Sequence, residues 1–383
     1  MSLQLIEGFD TKWFRPDMDN SFVPIVPKWG YPVPDFAMPK TYDKLNTLYA
    51  GGVIRSPLSV YTKLPLHYFC VGFRFARTHD VPALLFSVWE GEPTKVGSKL
   101  LCGAYVNASG YIVVFVGGNW DRDAVGFGLS GQTDLLTLSA YQLPFRSESV
   151  LDHIGNFVEA EVQIGSNGSV SGAIRVYDIN DGVADGNLFS GTLSSPPNLS
   201  NLFLWVSSNY SYKDASGDYI AVHGYDDLYL VVVDGFYPSS MLGPIVVETT
   251  RPFIATVTEW NATSAGHVNS VSENWVSHPS NDPEYIYTDK LGARELWKFG
   301  FTEKTPEPVV VGVQLTAWCN FQTFPPQKLA FVVRKGISES WYQPQFKYIS
   351  DVAGNIGYST LVFASAFGYN ELDDMEFGVM TGR

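Results

Sequence analysis

The stretch FVEAEVQIGSNGSVSGAIRVYDIN, residues 157–180, is a β-hairpin written in period two. Val158, Ala160, Val162 and Ile164 fall on one face of an extended chain, and Glu159, Glu161 and Gln163 on the other. Gly165 and Gly168 bracket a turn, and Ala173-Ile174-Arg175-Val176-Tyr177 runs back. The same alternation extends in both directions. YFCVGFRFA (68–76) puts Phe69, Val71, Phe73 and Phe75 on one face. ALLFSVWEG (83–91) and YIVVFVGG (111–118) are short apolar runs closed by glycine, as expected of strands buried on both sides. NLFLWVSS (201–208) and DDLYLVVVDG (226–235) bring the total to at least eight strands before residue 240. Helical periodicity is nearly absent, and its best candidate, DKLNTLYAGG (43–52), is short and ends on glycines.

Composition agrees. Aromatic residues make up 15% of the 383 residues, and 35 Gly with 23 Pro favour short strands joined by tight turns. The length points to two domains. We expect an all-β chain of two β-sandwich domains. Residues 1–237 are expected to form one sandwich and residues 259–383 a smaller one. The segment between them, 238–258, carries Pro238, Pro244 and Pro252 and suits an extended linker or a strand docked on the first domain's edge.

The formal net charge of −14 argues against nucleic-acid binding through a basic face and against an anionic membrane surface. No run of 18 apolar residues occurs, so no transmembrane helix is expected, and the N-terminus lacks a signal-peptide pattern. Cys70 and Cys319 sit in apolar runs and read as buried free thiols. A Cys70–Cys102 bridge is the alternative in an oxidising compartment.

Candidate chemistry is sparse. Glu159 and Glu161 share a strand face, as paired carboxylates do in β-sandwich glycosidases, but no third acid supports them. They read as solvent-facing glutamates of a hairpin. In YDINDGVADG (177–186), Asp178 and Asn180 resemble a calcium loop only superficially, because Gly182 takes the fifth position and Phe189 the twelfth. Asp226 and Asp227, at the mouth of an apolar strand, are further candidate calcium ligands or backbone caps. Calcium is thus the one candidate cofactor. GGNWDRD (117–123) is the best stretch for a sugar platform, with Trp120, Asp121 and Asp123. The histidines are scattered, and neither a nucleophile elbow nor a phosphate-binding glycine loop is present. No catalytic residues are assigned, and the chain reads as non-enzymatic.

In SNDPEYIYTDKLGARELWKFGF (280–301), Asp282, Glu284 and Asp289 form an acidic group before a strand. There Trp297 and Phe299 alternate with Leu296 and Lys298, so the aromatics are expected on a buried face and Glu295 at its solvent end.

The run from LIEGFD to LGPIVVETTRP resembles the laminin-G/concanavalin-A-like sandwich domain of bacteriophage virion proteins. The matching stretches are Gly8-Phe9-Asp10, Glu159 to Tyr177, and Asp226 to Gly235. The second half resembles the C-terminal module that follows such sandwiches, through Trp260, Val271-Ser272-Glu273, the strand with Gly292, Glu295 and Trp297, and LDDMEFGVMTG (372–382). This resemblance implies a structural component of the tail, neck or capsid surface, assembled in the bacterial cytoplasm. Its partners would be other virion proteins in a homo-oligomeric trimer or ring. Trp13, Trp29, Tyr31, Phe36 and Tyr237 are the expected interface anchors. A carbohydrate-binding adhesin, with a host-surface glycan as partner, is the alternative.

Overall fold

The computed structural model describes residues 2–7, 12–15, 21–24, 48–49, 53–54, 61–77, 80–93, 95–121, 124–144, 156–206, 212–213, 219–220, 223–232, 241–246, 250, 252–263, 266–268, 286–301, 308–319, 328–335, 341–342, 346–348, 357–363 and 367–382. The chain divides into two compact units, the first holding most of the chain up to Val247 and the second Glu248–Arg383 together with Trp13–Asp17 and Val23–Val26. Among the described residues the only helical elements are two 3₁₀ turns, Leu199–Asn201 and Tyr369–Asp374. The protein is all-β.

The first unit is a two-sheet sandwich. Its principal strands begin with β1 (Ser2–Glu7), β2 (Tyr61–Lys63), β3 (Tyr68–Arg77), β4 (Ala83–Glu90), β5 (Lys99–Val106) and β6 (Ile112–Val116). They continue with β7 (Thr133–Leu138), β8 (Asn156–Ile164), β9 (Ser169–Tyr177), β10 (Val183–Thr192), β11 (Leu202–Val206) and β12 (His223–Val232). One sheet has the order β1-β12-β3-β8-β9-β10 and the other β7-β6-β5-β4-β11-β2. The expected hairpin is β8–β9, in register from Val158↔Val176 to Ile164↔Val170. Leu48–Tyr49, inside the best helical candidate of the sequence, is extended and pairs with β12. A short isolated helix is costly to nucleate, whereas an existing strand supplies ladder bonds at once.

The period-two reading places the core. Phe69, Val71 and Phe73 on β3 and Val158, Ala160, Val162 and Ile164 on β8 are all buried. β4 and β6 are covered on both faces, matching their continuous apolar runs. At one side the sheets close through β10 and β7, where a Cβ added at Gly191 would meet Leu135 at 2.6 Å. Glycine is therefore required there for close approach. Among the described strands β10 is the edge of its sheet. The amides of Gly186 and Leu188 on that strand donate to the Asp185 and Asn187 side chains at 2.7 and 2.9 Å.

The second unit is centred on another antiparallel sheet. Its strands are β13 (Pro252–Thr258), β14 (Arg294–Phe299), β15 (Val313–Cys319), β16 (Lys328–Lys335), β17 (Gly357–Phe363) and β18 (Met375–Gly382). The central order is β13-β14-β18-β16, and β15 pairs separately with β17. Trp297, Leu329, Phe331 and Val379 form one apolar cluster, with Phe299 and Leu315 packed against it. Part of the stretch read as a linker is therefore sheet, because β13 pairs with β14 through two register shifts. Such bulges accommodate an edge strand that opens on proline.

Candidate functional site

The outer face of the larger sheet in the first unit holds the described chain's most concentrated polar chemistry. Glu159 stands opposite Gly72 on β3 and Arg175 on β9. Its expected solvent exposure is not found: Glu159 is 0% exposed. One carboxylate oxygen accepts from the Tyr229 phenol and from the Gly243 amide at 2.9 Å. The other accepts from the Tyr177 phenol at 3.1 Å. The Tyr229 oxygen also accepts from the Leu242 amide at 3.2 Å and lies 3.5 Å from the Cys70 sulfur.

Local sequence explains how these groups meet. Tyr229 is opposite Gly72, and a Cβ at Gly72 would lie 2.2 Å from the Tyr229 ring. Glycine inside the apolar β3 therefore makes room for the phenol to reach Glu159. Burial, with Cys70 and Glu159 close by, holds the Tyr229 phenol well above its usual range, so it remains a donor. Tyr177 is raised by burial and by Glu159, against the opposing effect of Arg175. Glu161, next on the same face, is half-buried and accepts from Tyr68, whose phenol this bond and burial push to about 12.

A second polar group sits at the other end of β3. Arg74, 3% exposed, donates from Nε to buried Asp227 at 2.9 Å and from a terminal nitrogen to Asp181 at 3.0 Å. Its guanidinium also lies over the Phe157 ring, 5.6 Å from the centroid. Burial pulls the Arg74 pKa down, but the bonds to Asp181 and Asp227 outweigh it and leave it raised. Asp227 lies in a register shift, where Asp227 and Leu228 together stand opposite Phe73. Asp181 and Asp227 have φ of 62° and 50°, the only positive values among described non-glycine residues. Both residues in the left-handed region are thus carboxylates held by one arginine.

This arrangement alters the calcium reading. The cation facing Asp227 is a guanidinium. Asp178 Oδ1 accepts from the amides of Asn180 and Gly182 at 2.8 and 3.0 Å, closing a turn on itself. Asn180 is exposed, and Asp226 lies on β12 opposite Arg74, with its side chain outside the described residues. Among the described residues no group of three or more His, Cys, Asp or Glu is placed to hold a metal.

Trp120 is half-buried rather than an open platform. Its ring meets Phe127 and Trp205 edge-on, each at 5.8 Å, and its indole nitrogen is buried without a hydrogen-bond partner. Asp121 is exposed, and Asp123 lies outside the described residues. So do Trp29, Tyr31, Phe36, Tyr237, Asp282 and Glu284, while Trp13 lies in an extended segment whose side chains are not described. Asp289 is exposed. Cys70 and Cys102 are buried free thiols, so the bridge alternative is not realised, and burial pushes Cys102 to about 12. Cys319 ends β15, and its side chain lies outside the described residues.

In the second unit Glu295 shares the Trp297 and Phe299 face as expected, yet it too is 0% exposed rather than at a solvent end. The Trp260 amide donates to it at 3.2 Å, and His267 Nδ1 lies 2.6 Å from its other oxygen. Burial raises the Glu295 carboxyl, and the Trp260 amide and His267 oppose that rise.

Tyr229, Tyr177, Gly243, Arg74 and His267 escape sequence reasoning. Only Gly72 carried a signal, a glycine interrupting an apolar strand.

No protein-family model and no curated relative match the chain. Among solved structures, an alginate lyase from Aplysia kurodai is 12% identical, covering 60% of this chain and 90% of its own, with a TM-score of 0.30. Sheep galectin-11 is 13% identical, covering 46% of this chain and 99% of its own, with a TM-score of 0.26. Likeness at this level assigns neither activity nor ligand, and the sandwich architecture stands on the strand pairing itself.

Proposed function

We propose that this chain is a non-catalytic structural component of a bacteriophage particle, acting through protein–protein contacts as a homo-oligomer. The observation that carries the non-catalytic part is the state of Glu159. A general acid, base or nucleophile must reach a substrate atom. This carboxylate is 0% exposed and is engaged by two phenols and a backbone amide. Its bonds hold structure together. The particle part of the proposal rests on the sequence resemblance to virion sandwich domains.

Exposed apolar residues supply surface for contacts between subunits. Val183 and Leu188 on β10 are 66% and 77% exposed, and Phe253 and Ile254 on β13 are 51% and 48% exposed. The glycan-binding alternative has less support, because the Trp120 ring is engaged edge-on by other aromatics.

Mass spectrometry of purified particles, with reconstruction of an intact particle, tests the proposal. Stoichiometric copies of the chain are expected in the particle, and a trimer or ring in light scattering of the isolated protein. Absence from particles together with a monodisperse monomer overturns it. A glycan array that captures wild-type protein but not Trp120→Ala favours the adhesin instead.

A further inference from the structure

Two consecutive amides set the short segment Met241–Val246 apart. Leu242 donates to the Tyr229 oxygen and Gly243 to the Glu159 carboxylate, and Tyr229 and Glu159 bond each other. The segment is half-buried up to Ile245, with Val246 exposed. Among the described residues it pairs with no strand.

We propose that Glu159 and Tyr229 form a latch that holds Met241–Val246 as a strap across the outer face of the larger sheet. Three features carry this. The two acceptors are bonded to each other, so the strap closes a ring of hydrogen bonds rather than adding a single contact. Gly243 has φ of +78°, a conformation open to glycine at little cost, so the chain turns immediately after the amide that donates to the carboxylate. The strap also ends next to Val247, the last residue of the first compact unit. Opening the latch would uncover the face bearing Glu159, Tyr229 and Tyr177. The latch stands whether or not the chain belongs to a particle.

Hydrogen exchange on the full chain tests it. The Leu242 and Gly243 amides are expected to exchange at least about a hundredfold more slowly than in a free peptide. Gly243→Ala is the decisive variant, because an added Cβ there meets nothing within 4 Å and acts only through backbone conformation. It should speed exchange at positions 242 and 243 about tenfold and leave the β8 amides unchanged. Tyr229→Phe should speed the Leu242 amide by a similar factor, and Glu161→Gln should change neither. Wild-type amides exchanging at the free-peptide rate, or strap amides indifferent to Gly243→Ala, would overturn the latch.

Discussion

Glu159 and Glu295 make a controlled pair. Each lies in a strand on a face that alternation marks as polar or peripheral, and each is 0% exposed. They differ in their partners. Glu159 is held by two phenols and an amide, groups that keep their protons far above neutral pH. Glu295 is held by one amide and a histidine ring nitrogen. The same burial problem is thus met by phenols and an amide in one unit and by an amide and an imidazole in the other.

The largest expected effect comes from deleting the carboxylates. Glu159→Ala strands two buried phenols and an amide, and should destabilise the first unit by about 3 kcal/mol. Glu295→Ala strands one amide and a histidine that is 24% exposed and can turn to water, so about 2 kcal/mol is expected. A chain of two units has no single unfolding free energy, so hydrogen exchange of each unit's core amides is the appropriate readout. Equal losses would erase the contrast.

The pH response sharpens it. Burial holds the Glu295 carboxyl above 4.5 in the folded chain, so the folded state takes up its proton more readily than the unfolded one. The stability of wild type relative to Glu295→Gln should therefore rise as pH falls through that folded value, and level off below about 4.5. A difference that shrinks on acidification would mean that the ionised pair with His267 dominates.

The smallest effect concerns Glu161, the half-buried neighbour of Glu159 on the same face. Tyr68→Phe should cost about 0.5–1 kcal/mol, because the bond it removes is only half-buried. In ultraviolet titration the same variant should abolish one phenol transition near 12.

How much of this was legible depends on what alternation encodes. Period two identifies which side chains share a face, and Phe69, Val71 and Phe73 are buried as read. It does not say whether the opposite face meets water. That was decided for Glu159 by a strap whose glycine lies 84 residues later, and for Glu295 by Trp260 and His267. Arg74 and Asp227 were illegible for a related reason: Asp227 lies in a register shift of β12 where it meets Arg74, and nothing in the Asp226-Asp227 pair announces it. The packing of Trp120 was illegible because nothing in GGNWDRD announces that its ring meets Phe127 and Trp205.

The edge strand β10 has a consequence for life at high concentration. Where Asp185 and Asn187 occupy the Gly186 and Leu188 amides, an incoming strand finds those donors already taken. Copies of this chain brought together at high concentration can then meet through the side chains of that edge, with those two donors withheld from backbone pairing.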